Sequence, residues 1–161
     1  IDMLTQRGYA VTAITGKQSE HDYLTGLGAS DIIDRVTIDA TTKPLERELW
    51  AGALDSLGGD ALAWLTRTMQ SQGVIAAFGN ALGPDLQTTV LPFILRGVRL
   101  IGINANSPIP LRQHIWRRIA TDLKPKHLAS IAREIRLDDL PEAFRNLIDN
   151  RSRGRIVVAL R

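Results

Sequence analysis

The chain has 161 residues, 44% of them hydrophobic and 23% charged, a formal net charge of +3 and no cysteine. This is the size and composition of one globular domain that can bury a core. Disulfides, thiol catalysis and thiolate-held zinc are excluded within the chain, and no apolar run nears the roughly 20 residues of a membrane helix. The lack of cysteine fits a reducing, cytoplasmic setting.

Turn residues divide the chain into alternating strands and helices, the pattern of a parallel sheet. Residues 1–7 read as the end of a helix that Gly8 stops. Residues 9–15, Tyr-Ala-Val-Thr-Ala-Ile-Thr, read as a buried strand, and Gly16-Lys17-Gln18-Ser19 leads from it into a helix. Ser19 and Asp22 have capping-box spacing, Tyr23, Leu24 and Leu27 give that helix one apolar face, and Gly28 ends it. Residues 31–34 make a short strand, and residues 53–59 a strand that runs into a glycine turn. A helix follows from about residue 61, with Leu62, Leu65 and Met69 on one side. Residues 73–78 form a fully apolar strand of the kind found in the middle of covered sheets. Residues 89–96 read as a short helix with Pro92 near its start, and residues 99–104 as a strand. Residues 111–123 and 141–150 read as helices, and residues 155–160 as a closing strand.

The fold class implied is α/β, a Rossmann-like doubly wound parallel sheet. Strand 9–15 is then the second strand, and the first strand with its G-x-G-x-x-G phosphate loop is expected upstream of Ile1. In the strand order 3-2-1-4-5-6 that omits the centre of the sheet. Two strand edges would lie bare, and a marginal or rearranged fold is expected of these residues by themselves.

The end of the second strand carries the sharpest chemical signal. Enzymes that use NAD place Asp or Glu there to bind the ribose 2′-hydroxyl. This chain has Thr15-Gly16-Lys17: a hydroxyl, a glycine that admits backbone N–H groups, and a cation. The set suits a 2′-phosphate, which a carboxylate would repel, so NADPH is the expected cofactor. The plainer reading of Lys17 is a solvated loop lysine. Phe78-Gly79-Asn80-Ala81-Leu82-Gly83 and Asn104-Ala105-Asn106-Ser107 leave the carboxyl ends of strands, where open α/β sheets bind ligands, although both also serve as ordinary turns. Gly26-x-Gly28 follows a helix instead of a strand and reads as a helix stop. His21, His114 and His127 lack ligand spacing and there is no G-x-S-x-G, so neither a metal site nor an acyl-transfer nucleophile is expected.

Charge is unevenly spread. Residues 1–80 hold 6 Lys and Arg against 10 Asp and Glu, and residues 81–161 hold 14 against 7. A basic half of this kind suits nucleic acid, an anionic cofactor or a CoA-type substrate, and equally a solvated cationic face. The densest run, Arg151-Ser152-Arg153-Gly154-Arg155, reads as a loop before the last strand or as a phosphate contact.

Together these segments resemble the cofactor domain of the medium-chain dehydrogenase/reductase superfamily, in its zinc-independent quinone-oxidoreductase-like branch. The marks are Leu27-Gly28-Ala29, Asp55-Ser56-Leu57-Gly58, and the ending Leu137-Asp138-Asp139-Leu140-Pro141-Glu142-Ala143 through Gly154-Arg155-Ile156-Val157-Val158. Thr15-Gly16-Lys17 with His21-x-Tyr23-Leu24, Pro44-Leu45-Glu46 through Trp50-Ala51-Gly52-Ala53, and Thr88-Thr89-Val90-Leu91-Pro92-Phe93-Ile94-Leu95-Arg96 are similar to the acrylyl-CoA reductase group. Members of that group reduce the C=C bond of acryloyl-CoA with NADPH and need no metal.

The resemblance implies that residues 1–161 are part of an NADP-binding domain, with the catalytic amino-terminal domain outside this chain. Thr15, Gly16 and Lys17 would hold the 2′-phosphate, Asn80, Ile94 and Ala105 would line the nicotinamide side, and Tyr23 and Gly79 would also bind the cofactor. Lys17 stands where the group carries Arg, so its charge lacks the guanidinium fork. Catalytic residues are unknown from this stretch, and by itself it is expected to be inactive. The resemblance implies a small-molecule acyl-CoA or quinone substrate, no membrane, and a homodimer through the sheet edge from Arg99 to Asn104. An NADPH:quinone oxidoreductase is the alternative activity. A basic module that binds nucleic acid or a partner protein is the alternative of another class.

Overall fold

The computed structural model describes residues 1–38 and 43–160. In chain order they form α1 (Asp2–Thr5), β1 (Thr12–Thr15), α2 (His21–Gly26), β2 (Asp31–Asp34), β3 (Trp50–Asp55), α3 (Gly59–Thr68) and β4 (Met69–Ala77). There follow α4 (Leu91–Arg96), β5 (Arg99–Gly102), α5 (Ile109–Ala120), α6 (Leu128–Ile131), β6 (Ala132–Arg136), α7 (Leu140–Ile148) and β7 (Arg155–Ala159). The strands pair as β1-β2, as a parallel β3-β4-β5, and as a parallel β6-β7. The pairings within the first two sheets are those of the flanks of the order 3-2-1-4-5-6 with strand 1 taken out.

Several boundaries differ from the sequence reading, each for a local reason. β1 starts at Thr12 instead of Tyr9, because Gly8 turns the chain at a φ of 81° and the Tyr9 N–H donates back to Leu4 O. Ser19 does not cap α2, because it lies inside a 3-10 turn, Gln18–Glu20, and the helix starts at His21. Met69 opens β4 instead of extending the face of α3. Segment β6 was not anticipated at all, since its sequence Ala-Arg-Glu-Ile-Arg offers one strongly apolar side chain, and it pairs with β7 from Ala132 beside Arg155 to Arg136 beside Ala159.

By contacts the chain forms two compact units. One comprises Ile1–Thr12, Asp22–Asp31 and the chain from Gln113 on; the other comprises Ala13–His21 and Ile32–Arg112.

In the first unit α1 is tied by charge to the segment after α5. Arg7 and Arg118 both reach Asp122 Oδ2 at 2.7 Å. The hydrogen bond from Arg118, helped by the Arg7 charge, holds the Asp122 carboxyl down at about 2. Asp2 is 6% exposed and accepts from the His127 N–H (2.9 Å) and from Gln6 Nε2 (3.0 Å). Burial by itself would push the Asp2 carboxyl up, but those bonds together with the His127 ring hold it below its usual value.

The second unit holds the core. Residues 61–68 of α3 are buried on every side. Leu62, Trp64 and Leu65 cluster with Met69, Ile75 and Val98. Every neighbouring element adds a side chain: Ile14 from β1, Ile33 from β2, Trp50 and Ala53 from β3, Phe93 from α4 and Leu100 from β5. Ile75 is at 0% exposure on β4, the central strand of its sheet. Truncating it leaves a cavity in close-packed surroundings. Ile75→Ala should therefore lose about 2–5 kcal/mol of stability, read as a lower urea midpoint at unchanged m-value.

Candidate functional site

Because β3, β4 and β5 run parallel, their carboxyl ends lie side by side and present three loops in a row. The first is the turn after β3, built on a buried carboxylate. Asp55 is 2% exposed, and its side chain accepts the N–H of Leu57 (3.2 Å) and of Gly58 (3.1 Å to Oδ2). Gly58 has a φ of 66°, a left-handed conformation that glycine takes without strain, and α3 begins at the next residue.

The second loop, residues 78–83, is zipped to that turn. Phe78 N–H donates to Asp55 O (2.9 Å), Ala81 N–H to Ser56 O (3.3 Å) and Leu82 N–H to Leu57 O (2.7 Å). Gly79 passes so close that a Cβ built there would lie 2.5 Å from Ser56 O. Gly79 and Asn80 are both exposed at this rim. The third loop leaves β5, where Asn104 Oδ1 accepts the Asn106 N–H (2.8 Å) and Asn104 O accepts from Ser107 Oγ (2.7 Å). That turn presents the exposed Ala105.

Thr15, Gly16 and Lys17 stand at the carboxyl end of β1 in the same unit. Thr15 Oγ1 accepts the Lys17 N–H (3.1 Å), which bends the chain into a tight turn. Above Gly16 lies the guanidinium of Arg35, the residue that follows β2. Ile94 is 67% exposed on α4. That helix is fixed at its far end by Arg96, which donates to Arg67 O (2.8 Å) and Met69 O (3.0 Å) and pairs with Glu48 (3.4 Å). Tyr23 belongs to the other unit, where Arg153 stacks on its ring at 4.8 Å.

The structure thus gathers Gly79 and Asn80 on the Asp55 turn, and Thr15 to Lys17 beside Arg35. Three contributors escaped the sequence reading. Asp55 was noted as part of a pattern, but nothing in the sequence marks its carboxylate as buried. Arg35 sits directly after a strand that ends in Asp34, and the strand reading stopped there. Arg96 closes an apolar helix and gave no signal of its anchoring to Arg67 O, Met69 O, Glu46 O and Glu48.

Other features offer less. A cleft of about 130 Å³ lined by Arg133, Ile135, Asp139, Glu142, Ala143 and Asn146 is smaller than the roughly 300 Å³ at which ligand pockets begin. Among the described residues no three His, Asp or Glu side chains come together as metal ligands, and no helix is long and apolar enough to cross a membrane. Some arginines of the second half are committed: Arg118 to Asp122, Arg151 to Asp149, and Arg153 to the Tyr23 ring.

Comparison with known proteins agrees with this architecture. Residues 27–158 match the family described as zinc-binding dehydrogenase. Acrylyl-CoA reductase AcuI of Ruegeria pomeroyi is 42% identical over 158 residues, 97% of this chain and 48% of its own length. YhfP of Bacillus subtilis, which carries the name of a quinone oxidoreductase, is 42% identical over 163 residues, 99% of this chain and 49% of its own. A crystal structure of YhfP with NAD bound superposes with a TM-score of 0.93, covering 99% of this chain and 49% of that one. The structure of Escherichia coli K-12 YhdH with bound NADPH is 39% identical and gives a TM-score of 0.93 over 100% of this chain and 50% of that one.

The chain belongs to the zinc-binding dehydrogenase family, and its fold is the Rossmann-like α/β fold of the cofactor domain in these medium-chain reductases. It spans about half the length of the curated relatives it matches.

The turn that carries this rim should depend on the Asp55 carboxylate. Asp55→Ala leaves two N–H groups without their acceptor, at about 1–3 kcal/mol for each that stays buried. Asp55→Asn keeps one acceptor oxygen and should lose less, a ranking that chemical denaturation of the two variants checks.

Proposed function

We propose that residues 1–161 form the NADPH-binding part of a cytoplasmic oxidoreductase that reduces the C=C bond of an enoyl thioester such as acryloyl-CoA. The observation that carries this reading is the chemistry at the end of β1. Where an NAD enzyme has a carboxylate, this chain offers the Thr15 hydroxyl, the open backbone of Gly16 and the Lys17 ammonium. The nearest carboxylate in sequence is Glu20, three residues past Lys17, and Asp34 at the end of β2 spends Oδ1 on the Val36 N–H (3.1 Å). The donor set fits a phosphate monoester on the ribose.

Thr15, Gly16 and Lys17 would hold the 2′-phosphate. Gly79 and Asn80 would lie along the nicotinamide side, largely through backbone, with Ile94 and Ala105 covering it. Close passage of the main chain at Gly79 supports this, since a side chain there would collide with the Ser56 carbonyl. When bound, NADPH supplies the hydride. What this chain contributes is binding, orientation and the exclusion of water along the apolar rim. The groups that polarise the thioester carbonyl and protonate its α-carbon would come from the amino-terminal domain that such reductases carry.

The likeness to AcuI supports an enoyl thioester as acceptor, and the name of YhfP supports a quinone. Assembly as a homodimer is part of the reading. Strand β5 is the edge of its sheet, Ile101 on it is 46% exposed, and Ile103 just beyond is 53% exposed.

The test is made on the full-length natural protein. Fluorescence titration should give NADPH at least about tenfold tighter binding than NADH, the value of one charge-assisted contact to the 2′-phosphate. Steady-state kcat/KM should favour acryloyl-CoA over a simple benzoquinone. Equal binding of the two nucleotides would contradict the cofactor assignment, and a preference for the quinone would replace the thioester.

A further inference from the structure

The helix that follows the third loop, α5, is folded but uncovered. Not one of its 12 residues is buried, and Trp116 on it is 65% exposed. Leu111, Ile115 and Ile119 recur every fourth residue and form its apolar stripe. Trp116, the residue after Ile115, is turned about 100° away from that stripe. Its neighbours one turn off are Arg112 and Gln113 on one side and Ala120 on the other, and Arg117 stands one turn beyond Gln113. An indole that belongs to neither the apolar stripe nor the core cluster is thus displayed among cations.

The charge on this face is open. α5 contains Arg112, His114, Arg117 and Arg118 and no Asp or Glu. Arg118 is held by Asp122, whereas among the described residues Arg112 and Arg117 form no ion pair. Past the helix Lys124 and Lys126 are exposed, so residues 109–126 carry five Lys and Arg against the single Asp122. A flat aromatic face edged by guanidinium groups matches a purine base with phosphates attached. The base stacks on the ring, and each guanidinium offers a planar fork of donors to phosphate oxygens.

We propose that the face of α5 made by Arg112, Gln113, Trp116 and Arg117 binds the 3′-phosphoadenosine diphosphate end of the acyl-CoA substrate, with the indole stacked on adenine and the two guanidinium groups on its phosphates. This rests on the enoyl-thioester reading given above and deepens it, from the reactive thioester to the carrier that bears it. Charge complementarity selects the occupant. The carrier ends in a phosphate monoester and a diphosphate, which two unpaired arginines can grip through parallel N–H donors. A simple quinone has no such end, so the face favours one acceptor over the other. Contacts to a part of the substrate that does not react tighten its binding and can be used to orient the part that does.

Thioesters that differ only in the carrier test this on the full-length natural protein. With NADPH saturating, the wild-type KM should be at least about tenfold lower for acryloyl-CoA than for acryloyl-pantetheine, which keeps the reactive arm and lacks the nucleotide. The double variant Arg112→Gln, Arg117→Gln should raise the KM for acryloyl-CoA by about tenfold or more and that for acryloyl-pantetheine by less than about twofold. Trp116→Ala should shift the same ratio in the same direction. Calorimetry with 3′,5′-ADP, on protein saturated with NADP+, reads the site without turnover, and the double variant should weaken that binding as well. Far-ultraviolet dichroism checks the fold of each variant. Arg117→Lys keeps the test open if the double variant does not fold, and its KM for acryloyl-CoA should rise less, because charge is kept without the fork. An unchanged KM for acryloyl-CoA would overturn the proposal. So would an equal rise for both thioesters, which is what a helix with only a structural role would give. Wild-type protein that reduces a benzoquinone and neither thioester would overturn the enoyl-thioester reading itself, and this site with it.

Discussion

Packing of one helix on one strand organises the second unit. α3 is enclosed along residues 61–68, and with Met69 and Ile75 it makes the cluster against which β1, β2, β3, α4 and β5 each lay a side chain. Those anchoring side chains lie close in sequence to residues at the ends of strands and on α4. Ile14 directly precedes Thr15, Ile33 is two residues before Arg35, and Phe93 directly precedes Ile94. A close-packed core transmits small shifts instead of absorbing them. The positions of the loops at the strand ends are therefore set by apolar contacts that touch no ligand.

At the rim the constraint changes from packing to hydrogen bonding. The Asp55 carboxylate ties down the turn before α3, and the loop after β4 pairs with that turn along three backbone bonds. Charge is distributed accordingly. The buried carboxylate satisfies main-chain donors, while the Arg35 guanidinium lies over Gly16 at the end of the β1-β2 sheet.

How much of this was legible in the sequence follows from how local each signal is. Apolar strands such as 73–78, helix stops at Gly8 and Gly28, and the proline at the start of α4 are local, and the structure places each close to where the sequence does. The strand order came from the class of fold, not from any residue. What was hidden is long-range or charged. β6 is a strand because β7 lies beside it, and its own residues Arg133, Glu134 and Arg136 argue otherwise. Burial of Asp55 and the approach of Arg35 to Gly16, across 19 positions of sequence, depend on the folded arrangement. Thr15-Gly16-Lys17 could be singled out because the exchange of a carboxylate for a hydroxyl, a glycine and a cation is visible in three letters.

A crystal structure of the full-length natural protein with NADPH tests the assignment of the β1 turn most directly. The 2′-phosphate should lie within hydrogen-bond reach, about 2.7–3.2 Å, of Thr15 Oγ1 and a main-chain N–H of the turn, with the nicotinamide ring toward Gly79 and Asn80. A nucleotide whose adenosine ribose lies away from residues 15–17, or whose 2′-phosphate points into solvent there, would contradict it.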